Sequence, residues 1–230
     1  MASIEIKLLA LYKSTARLTN QPIILWQNSR TRLNCLTVEQ CDRMTTSRAQ
    51  AGQLLDHLRP RARILFVGIN PGVRSATVGH HFAGASNRFW KLLFDSGLID
   101  EPLTYREDWR LPEWRLGLTN LIGRSSVGIG ELSPGEYLAG LAGLRRKIHR
   151  YEPRTIAFLG VTIYRMLFAD LCGSTLLNLG PTRARLAGAP VFLLPNPSGR
   201  NAHYSYDQML SAFIMLRKYA HRSSRNDRRA

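Results

Sequence analysis

The sequence predicts an α/β protein, a three-layer α/β/α sandwich around a central, mostly parallel sheet. Three apolar runs, residues 64–67, 156–159 and 191–194, are too short for helices and lack alternation between apolar and polar residues. That pattern is typical of strands buried on both faces. Helical patterns separate the three runs, which favours a sheet covered on both sides, with its ligand crevice at the carboxyl ends of the strands.

Several segments between and around these strands carry helical signals. Ser133, Pro134 and Glu136 form a capping box with proline at the first helical position, and an apolar stripe follows until Pro153. The other predicted helices cover residues 87–94, 161–171 and 206–219. Their alternation with the strands supports the layered architecture.

The composition indicates one domain flanked by terminal segments. The chain has 230 residues and is 44% hydrophobic, which suffices for one sizeable core. We expect this domain to span residues 46–220. Residues 1–45 are an N-terminal extension that is either flexible or not natively translated, with Met44 as an alternative start, and residues 221–230 form a basic disordered tail.

Charge and cysteine usage narrow the class of partner and the compartment. Lys and Arg number 32 against 16 Asp and Glu, a formal net charge of +16, which favours a polyanionic partner. A basic surface without such a partner is the alternative. Cys35, Cys41 and Cys172 lack CxxC spacing, which argues against a disulfide framework and a four-thiolate metal centre. No apolar stretch approaches about 18 residues, so we expect a cytoplasmic protein that does not cross a membrane.

Two of the predicted strands end in loops rich in Gly, Pro and Asn. These are "GINPG" at residues 68–72 and "PNPSG" at residues 195–199. Because the carboxyl ends of parallel strands share one edge of the sheet, the two loops are expected to face one cleft. Each loop taken alone is compatible with ordinary turn chemistry.

Five ordered blocks of sequence resemble the mismatch-specific uracil/thymine DNA glycosylases of the uracil-DNA glycosylase superfamily. They are GINPG, HFAGASNRFWKLL, GLTNLIGRSS, YEPRTIAFLG and LLPNPSGRNAHYS, within about residues 64–219. The resemblance implies a uracil-DNA glycosylase-like fold and a monomeric, monofunctional enzyme without cofactor or metal. Such an enzyme flips uracil, or else thymine or another damaged pyrimidine, out of G·U or G·T mismatches in double-stranded DNA and hydrolyses its N-glycosidic bond, initiating base excision repair.

The resemblance assigns the catalytic role to Asn70, whose amide positions a water against the sugar carbon. An amide cannot take the proton of that water, so catalysis relies on positioning and on stabilising the departing base anion. A turn cap is the alternative for Asn70. Phe82 matches the aromatic that stacks on the flipped base, a contact worth about 1–3 kcal/mol; a role in packing alone is the alternative. The other predicted pocket residues are Gly68, Ile69, Asn120 and Asn196; for Asn120, recognition of the pyrimidine edge and a strand-end cap are equally open.

The same resemblance places residues 196–200 in the gap that the extruded nucleotide leaves in the duplex. Arg200, or a residue beside it, is the intercalating wedge, with a simple phosphate contact as the alternative. Further predicted DNA contacts are Gly72, Ser126, Ser198, Gly199, Arg88 and Lys91, and Ser126 either lines the pocket or contacts phosphate. Residues 145–147 either contact phosphate or form a solvated helix face.

The three histidines of these loops are not expected to take part in catalysis or in metal binding. His80 and His81 are adjacent and poorly placed to aim at one site, so these and His203 are expected to be exposed loop residues and not acid-base catalysts or metal ligands.

Two other protein classes are compatible with the fold. A doubly wound nucleotide-binding protein is disfavoured because GxGxxG spacing is missing. A non-catalytic basic nucleic-acid-binding module on the same fold stays open.

Overall fold

A mostly parallel sheet forms the centre of the protein in the computed structural model, which describes residues 54–168 and 177–226. Its strands are β1 (Ile64–Gly68), β2 (Leu116–Asn120), β3 (Ile156–Leu159), β4 (Gly180–Leu186) and β5 (Ala189–Leu194). Their order is β2-β1-β3-β5-β4, and only β4 pairs antiparallel within this sheet. With helices flanking it, the sheet confirms the predicted α/β fold.

Helices precede and follow these strands. They are α1 (Val73–Val78), α2 (Phe89–Asp95), α3 (Pro134–Tyr151), α4 (Val161–Leu167) and α5 (Tyr206–Asn226), with 3-10 turns at Tyr105–Trp114 and Ile129–Glu131. The α5 helix passes the predicted domain end at residue 220, so part of the predicted tail is helical. The predicted extension at residues 1–45 lies outside the described residues. Among the described helices, none combines the length and apolar character needed to cross a bilayer.

Alternate residues of β1 supply the two halves of the core. Phe66 faces one side of the sheet, in a cluster with Phe89 of α2 and Phe213 of α5. Leu65 and Val67 belong to the cluster on the other side, which the helices α3 and α4 cover. Because both faces are covered, β1 is buried along its whole length, and the polar loops at its carboxyl end are held on a rigid base.

The strands β2 and β4 are missing from the sequence prediction for different reasons. The sequence of β2, LGLTN, contains Gly and Asn, which are poor strand formers. Its register against β1 fixes it as a strand. The β4 strand alternates between buried and more exposed positions over part of its length, as expected for an edge strand. It joins β5 through Ala187 and Gly188, both at positive φ (48° and 83°), which is the backbone geometry of a tight hairpin turn.

The predicted capping box of α3 is confirmed. Ser133 Oγ accepts from Glu136 N at 3.4 Å, and Glu136 Oε2 accepts from Ser133 N at 2.9 Å. The middle of α3 then lies close to the loop after β2, because a Cβ on Gly140 would come within 2.4 Å of the Leu121 carbonyl oxygen. Gly140 therefore permits a close approach that supports the loop after β2.

Two glycines of α3 give a matched test of this approach. We expect Gly140→Ala to destabilise the protein by about 1–3 kcal/mol, since the added methyl meets backbone and not a movable side chain. In Gly143→Ala the methyl meets only Arg146 Nη2 at 3.8 Å, so the better helix propensity of alanine should stabilise by roughly 0.5–1 kcal/mol. Urea unfolding of both variants checks whether the free energy of unfolding changes in opposite directions. Equal changes in the two variants would contradict the close packing of Gly140.

Candidate active site

A cleft of about 560 Å³ opens at the carboxyl ends of the parallel strands. The loops after β1, β2 and β5 line it together with the segment before α2. Eleven of the predicted site residues lie along its wall: Gly68, Ile69, Asn70, Gly72, Phe82, Asn120, Ser126, Asn196, Ser198, Gly199 and Arg200. The two Gly-, Pro- and Asn-rich loops thus share one cleft, as the topology predicts.

Backbone hydrogen bonds hold the loops after β1 and β2 side by side. Leu121 N donates to Gly68 O at 2.9 Å, and Ile122 N donates to Ile69 O at 2.8 Å. The parallel pairing of the two strands therefore continues past their ends. It brings Asn70 and Ser126 to the same part of the cleft.

The side-chain amide of Asn70 is fixed in one orientation. Its Nδ2 donates to Ser126 Oγ at 2.8 Å and to the carbonyl oxygens of Pro71 and Arg124, both at 3.3 Å. Because a carbonyl oxygen only accepts, the nitrogen must face these groups. Ser126 Oγ in turn donates to Gly128 O at 2.8 Å, which leaves it as an acceptor for Asn70. Within the described residues nothing donates to Asn70 Oδ1, so this oxygen is available as an acceptor for a bound molecule.

Asn120 and Gly68 fit each other closely. A Cβ on Gly68 would lie 2.5 Å from Asn120 Oδ1, so only glycine fits beside this amide. Asn120 Nδ2 lies 3.5 Å from His81 Nδ1, and His81 Nε2 lies 2.9 Å from Leu55 O. Burial lowers the pKa of His81. The neutral imidazole therefore donates from Nε2 to the carbonyl and presents Nδ1 as an acceptor to the Asn120 amide.

Phe82 forms an aromatic wall of the cleft and has an unusual backbone. Its φ is +53°, a left-handed conformation that costs energy for a residue with a Cβ. Its ring packs on Phe89 with the centroids 4.2 Å apart and the planes at 32°. The strained backbone and this packing fix the ring beside Gly68 and leave it half-buried.

The loop after β5 is held on both sides. Asn196 Oδ1 accepts from Ser198 N at 3.0 Å, an Asx turn within the loop. A Cβ on Gly199 would lie within 2.6 Å of the Ser86 backbone oxygen, which shows how tightly the loop contacts the segment before α2. On the other side, Arg200 Nη2 donates to Val127 O at 3.3 Å. Arg200 therefore reaches the loop after β2.

Asp108 anchors the segment that carries Phe82. Its carboxylate is 2% exposed and accepts from His81 N at 2.8 Å, from His80 Nδ1 at 3.0 Å and from His57 Nε2 at 3.2 Å. Burial alone would raise the pKa of Asp108, but these hydrogen bonds outweigh it and lower the pKa to about 2. Sequence reasoning missed Asp108, since nothing in YREDWRLP marks one acidic residue as buried.

Two of the three histidines do not match the expectation of exposed loop residues. His81 is buried, and His80 is partly buried against Asp108. Both residues bond to the carboxylate of Asp108, His80 through its side chain and His81 through its backbone N–H. His203 is exposed and does not line the cleft.

The donor atoms of His57, His81 and Asp108 lie within 4.8 Å of one another, a grouping that has the residue types of a metal site. Hydrogen bonds already engage these residues: His81 Nε2 bonds to a backbone carbonyl, and His57 bonds to Asp108. Internal hydrogen bonding therefore accounts for the cluster as a structural support.

Arg88 and Lys91 do not line the cleft. Arg88 Nη1 contacts Met209 Sδ at 3.8 Å. The Lys91 ammonium pairs with Asp95 and lies 4.8 Å from the centre of the Tyr206 ring. The side chain of Lys91 is 65% exposed, so its contact with DNA outside the cleft stays a prediction.

The side chain of Lys147 is held by neighbouring residues and does not simply form part of a solvated helix face. Its Nζ pairs with Asp56 Oδ2 at 2.6 Å and donates to Thr119 Oγ1 at 2.9 Å. The neighbouring Arg145 and Arg146 are exposed. Lys147 therefore ties α3 to β2 instead of facing solvent freely.

Comparison with known proteins gives one family match and a similar solved structure. The family model described as the uracil DNA glycosylase superfamily matches residues 55–217. That range includes every cleft residue except Leu54. A solution NMR structure of a candidate uracil DNA glycosylase from Methanosarcina acetivorans is similar, with 20% identity and a TM-score of 0.47, over 73% of this chain and 97% of that one.

The Asp108 anchor predicts a specific dependence of stability on pH. Because the folded pKa of about 2 lies below the usual 3.8, its stabilising effect is present above about pH 4 and is lost as the pH falls towards 2. We expect Asp108→Asn to lower the free energy of unfolding by about 2 kcal/mol at pH 7, and the deficit to shrink below pH 4. Urea unfolding from pH 7 to pH 2.5 measures this difference, with substitution of an exposed carboxylate, Glu152→Gln, as the control. If Asp108→Asn unfolded at the wild-type urea concentration at pH 7, the stabilising role of Asp108 would be wrong.

Proposed function

The chain belongs to the uracil DNA glycosylase superfamily, and on this premise we propose that it is a monofunctional, mismatch-specific glycosylase that removes uracil from G·U pairs. Membership of the superfamily supports uracil excision from DNA by hydrolysis of the N-glycosidic bond. The preference for a mismatch, base flipping, thymine in G·T as a further substrate and action as a cytoplasmic monomer belong to the proposal.

The observation that carries the proposal is the fixed amide of Asn70 in a cleft shared with the loop after β5. Asn70 Nδ2 is used by Ser126 and two carbonyl oxygens, so Oδ1 can accept from a water and hold it against the sugar carbon of a flipped nucleotide. The rate gain would come from this positioning, since an amide does not remove the proton of the water.

The charges around the cleft suit a leaving group that departs as an anion. Among the described residues, no Asp or Glu lines the cleft, whereas Arg74 and Arg200 do. A carboxylate would repel the uracil anion as it forms, and its absence from the wall leaves backbone and amide dipoles to stabilise that charge.

Base recognition would combine stacking with hydrogen bonding. The half-buried ring of Phe82 offers a face for the flipped pyrimidine, worth about 1–3 kcal/mol. Asn120 uses one N–H toward His81, which leaves a second N–H and Oδ1 for the O4 and N3–H of uracil. The strand-end position of Asn120 and its proposed role in recognition are thus compatible.

A preference for guanine opposite uracil would come from the loop after β5. Ser198 N is used by the Asx turn, and Ser198 O accepts from Asn201 N at 2.9 Å. Within the part of the chain that the structure describes, the N–H and carbonyl of Gly199 have no such partner. They are therefore free to contact the Watson–Crick edge of the unpaired guanine while Arg200 fills the gap.

An end-labelled duplex with one G·U pair tests the function. After incubation with the protein, hot alkali should break the strand at the uracil position, because base loss leaves an alkali-labile site. We expect the excision rate to be highest for G·U and lower for A·U and single-stranded uracil, with no breakage of G·C. Binding of the G·U duplex without breakage would favour the non-catalytic binding module instead.

Asn70→Ala separates catalysis from binding. We expect this variant to bind the G·U duplex like the wild type and to lose about 100- to 1,000-fold in single-turnover excision. Ser126→Ala keeps the amide of Asn70 but removes its shortest hydrogen bond, so the loss in excision rate should be smaller, roughly 10-fold. Asn178→Ala, exposed and outside the cleft, is the control. Excision by Asn70→Ala at the wild-type rate would rule out water positioning by this residue.

A further inference from the structure

A dense group of basic residues lies at the amino-terminal ends of the parallel strands, on the side of the sheet opposite to the strand ends that form the cleft. Arg63 and Arg115 immediately precede β1 and β2, which are adjacent parallel strands. Five residues of extended chain place this edge about 16 Å from the carboxyl ends. We define the arginine cluster as Arg59, Arg61, Arg63, Arg115 and Arg217.

The members of the arginine cluster are mutually close. Arg63 N donates to Arg115 O at 2.7 Å, and Arg115 Nη2 donates to Arg61 O at 3.2 Å. Arg59 Nη1 donates at 2.7 Å to Pro112 O, three residues before Arg115. Burial lowers the pKa of Arg63, and the nearby charges of Arg115 and Arg217 lower it further. These contacts make the cluster one surface of like charge.

Acidic side chains compensate this charge only weakly. Among the described residues, the one ion pair that reaches the arginine cluster joins Arg61 Nε to Glu152 Oε2 at 4.0 Å, and both side chains are more than two-thirds exposed. The nearby Glu101 and Glu113 pair with Arg110. Arg63 Nε is buried without a hydrogen-bond partner. The cluster therefore carries several positive charges that no carboxylate neutralises closely.

We propose that the arginine cluster binds the phosphate backbone of a second segment of duplex DNA, separate from the duplex in the cleft. Guanidinium groups match phosphate oxygens in charge and geometry. Arg59, Arg61 and Arg115 are exposed, so the surface presents several donors side by side, as an extended polyanion requires. The protein then holds two duplexes at opposite edges of one sheet, which lets it move between DNA segments without full release.

Salt dependence of binding tests the charge contribution directly. Anisotropy of a labelled, undamaged duplex is measured from 50 to 300 mM salt for the wild type and for a triple variant, Arg59→Gln, Arg61→Gln and Arg115→Gln. Each phosphate contact contributes about 0.9 to the slope of log K against log salt. We expect the slope to become shallower by about 2–3 and affinity to fall at least about 10-fold at low salt.

Two comparison variants keep this result interpretable. Replacing Arg165, Arg183 and Arg185, which are exposed on α4 and β4, with glutamine makes the same change in net charge. It should alter the slope by less than about 1. Replacing Arg59, Arg61 and Arg115 with lysine keeps the charge and should preserve most of the slope. Equal slopes for both glutamine variants would overturn the proposal.

A bridging assay then distinguishes two duplexes from one. A bead-bound G·U duplex holds Asn70→Ala protein, and a labelled undamaged duplex is added. We expect capture of the second duplex with the arginine cluster intact and its loss in the triple glutamine background. No capture in either case, or cluster-dependent capture of duplex RNA in preference to duplex DNA, would overturn the assignment. The bridging assay rests on the proposed binding of a G·U duplex in the cleft, whereas the salt dependence tests the arginine cluster independently of that proposal.

Discussion

The parallel pairing between β1 and β2 does not stop where the strands end, and the cleft depends on that continuation. Leu121 and Ile122 donate to the carbonyl groups of Gly68 and Ile69, so the two loops cannot move independently. The consequence is geometric: a side chain at residue 70 must lie beside the loop that carries Ser126. The orientation of the Asn70 amide then follows from the acceptors that this loop supplies.

Close packing around the cleft restricts the residue types that fit there. Gly68 has no room for a Cβ beside Asn120, and Gly199 has none beside Ser86. Phe82 adopts a left-handed backbone that its neighbours must hold in place. The buried carboxylate of Asp108 does so through the backbone N–H of His81, the residue before Phe82. Its hydrogen bonds compensate for the burial of a charge, so the support for the aromatic wall also depends on a polar network behind it.

The sequence predicts those features that depend on short local patterns. Buried strands show as apolar runs, and loops at carboxyl ends show as Gly, Pro and Asn, so the placement of residues 68–72 and 196–200 in one cleft follows from topology. The burial of His81 and Asp108 depends on contacts between segments far apart in the chain, for which a single sequence has no local signal. The strand β2 is recognisable only through its partner, since its own residues are weak strand formers.

Parallel strands give the sheet two chemically different edges, and this chain uses the difference. The carboxyl edge presents amides, glycines and one aromatic ring, with Arg74 and Arg200 as the cationic side chains among the described cleft residues. Two guanidinium groups are a small part of a net charge of +16. The attraction to a polyanion must therefore come mainly from surfaces outside the cleft, where long-range charge increases the encounter rate. Within the described residues, the cleft itself contributes amide and backbone dipoles together with these two guanidinium groups, which favour a developing anion.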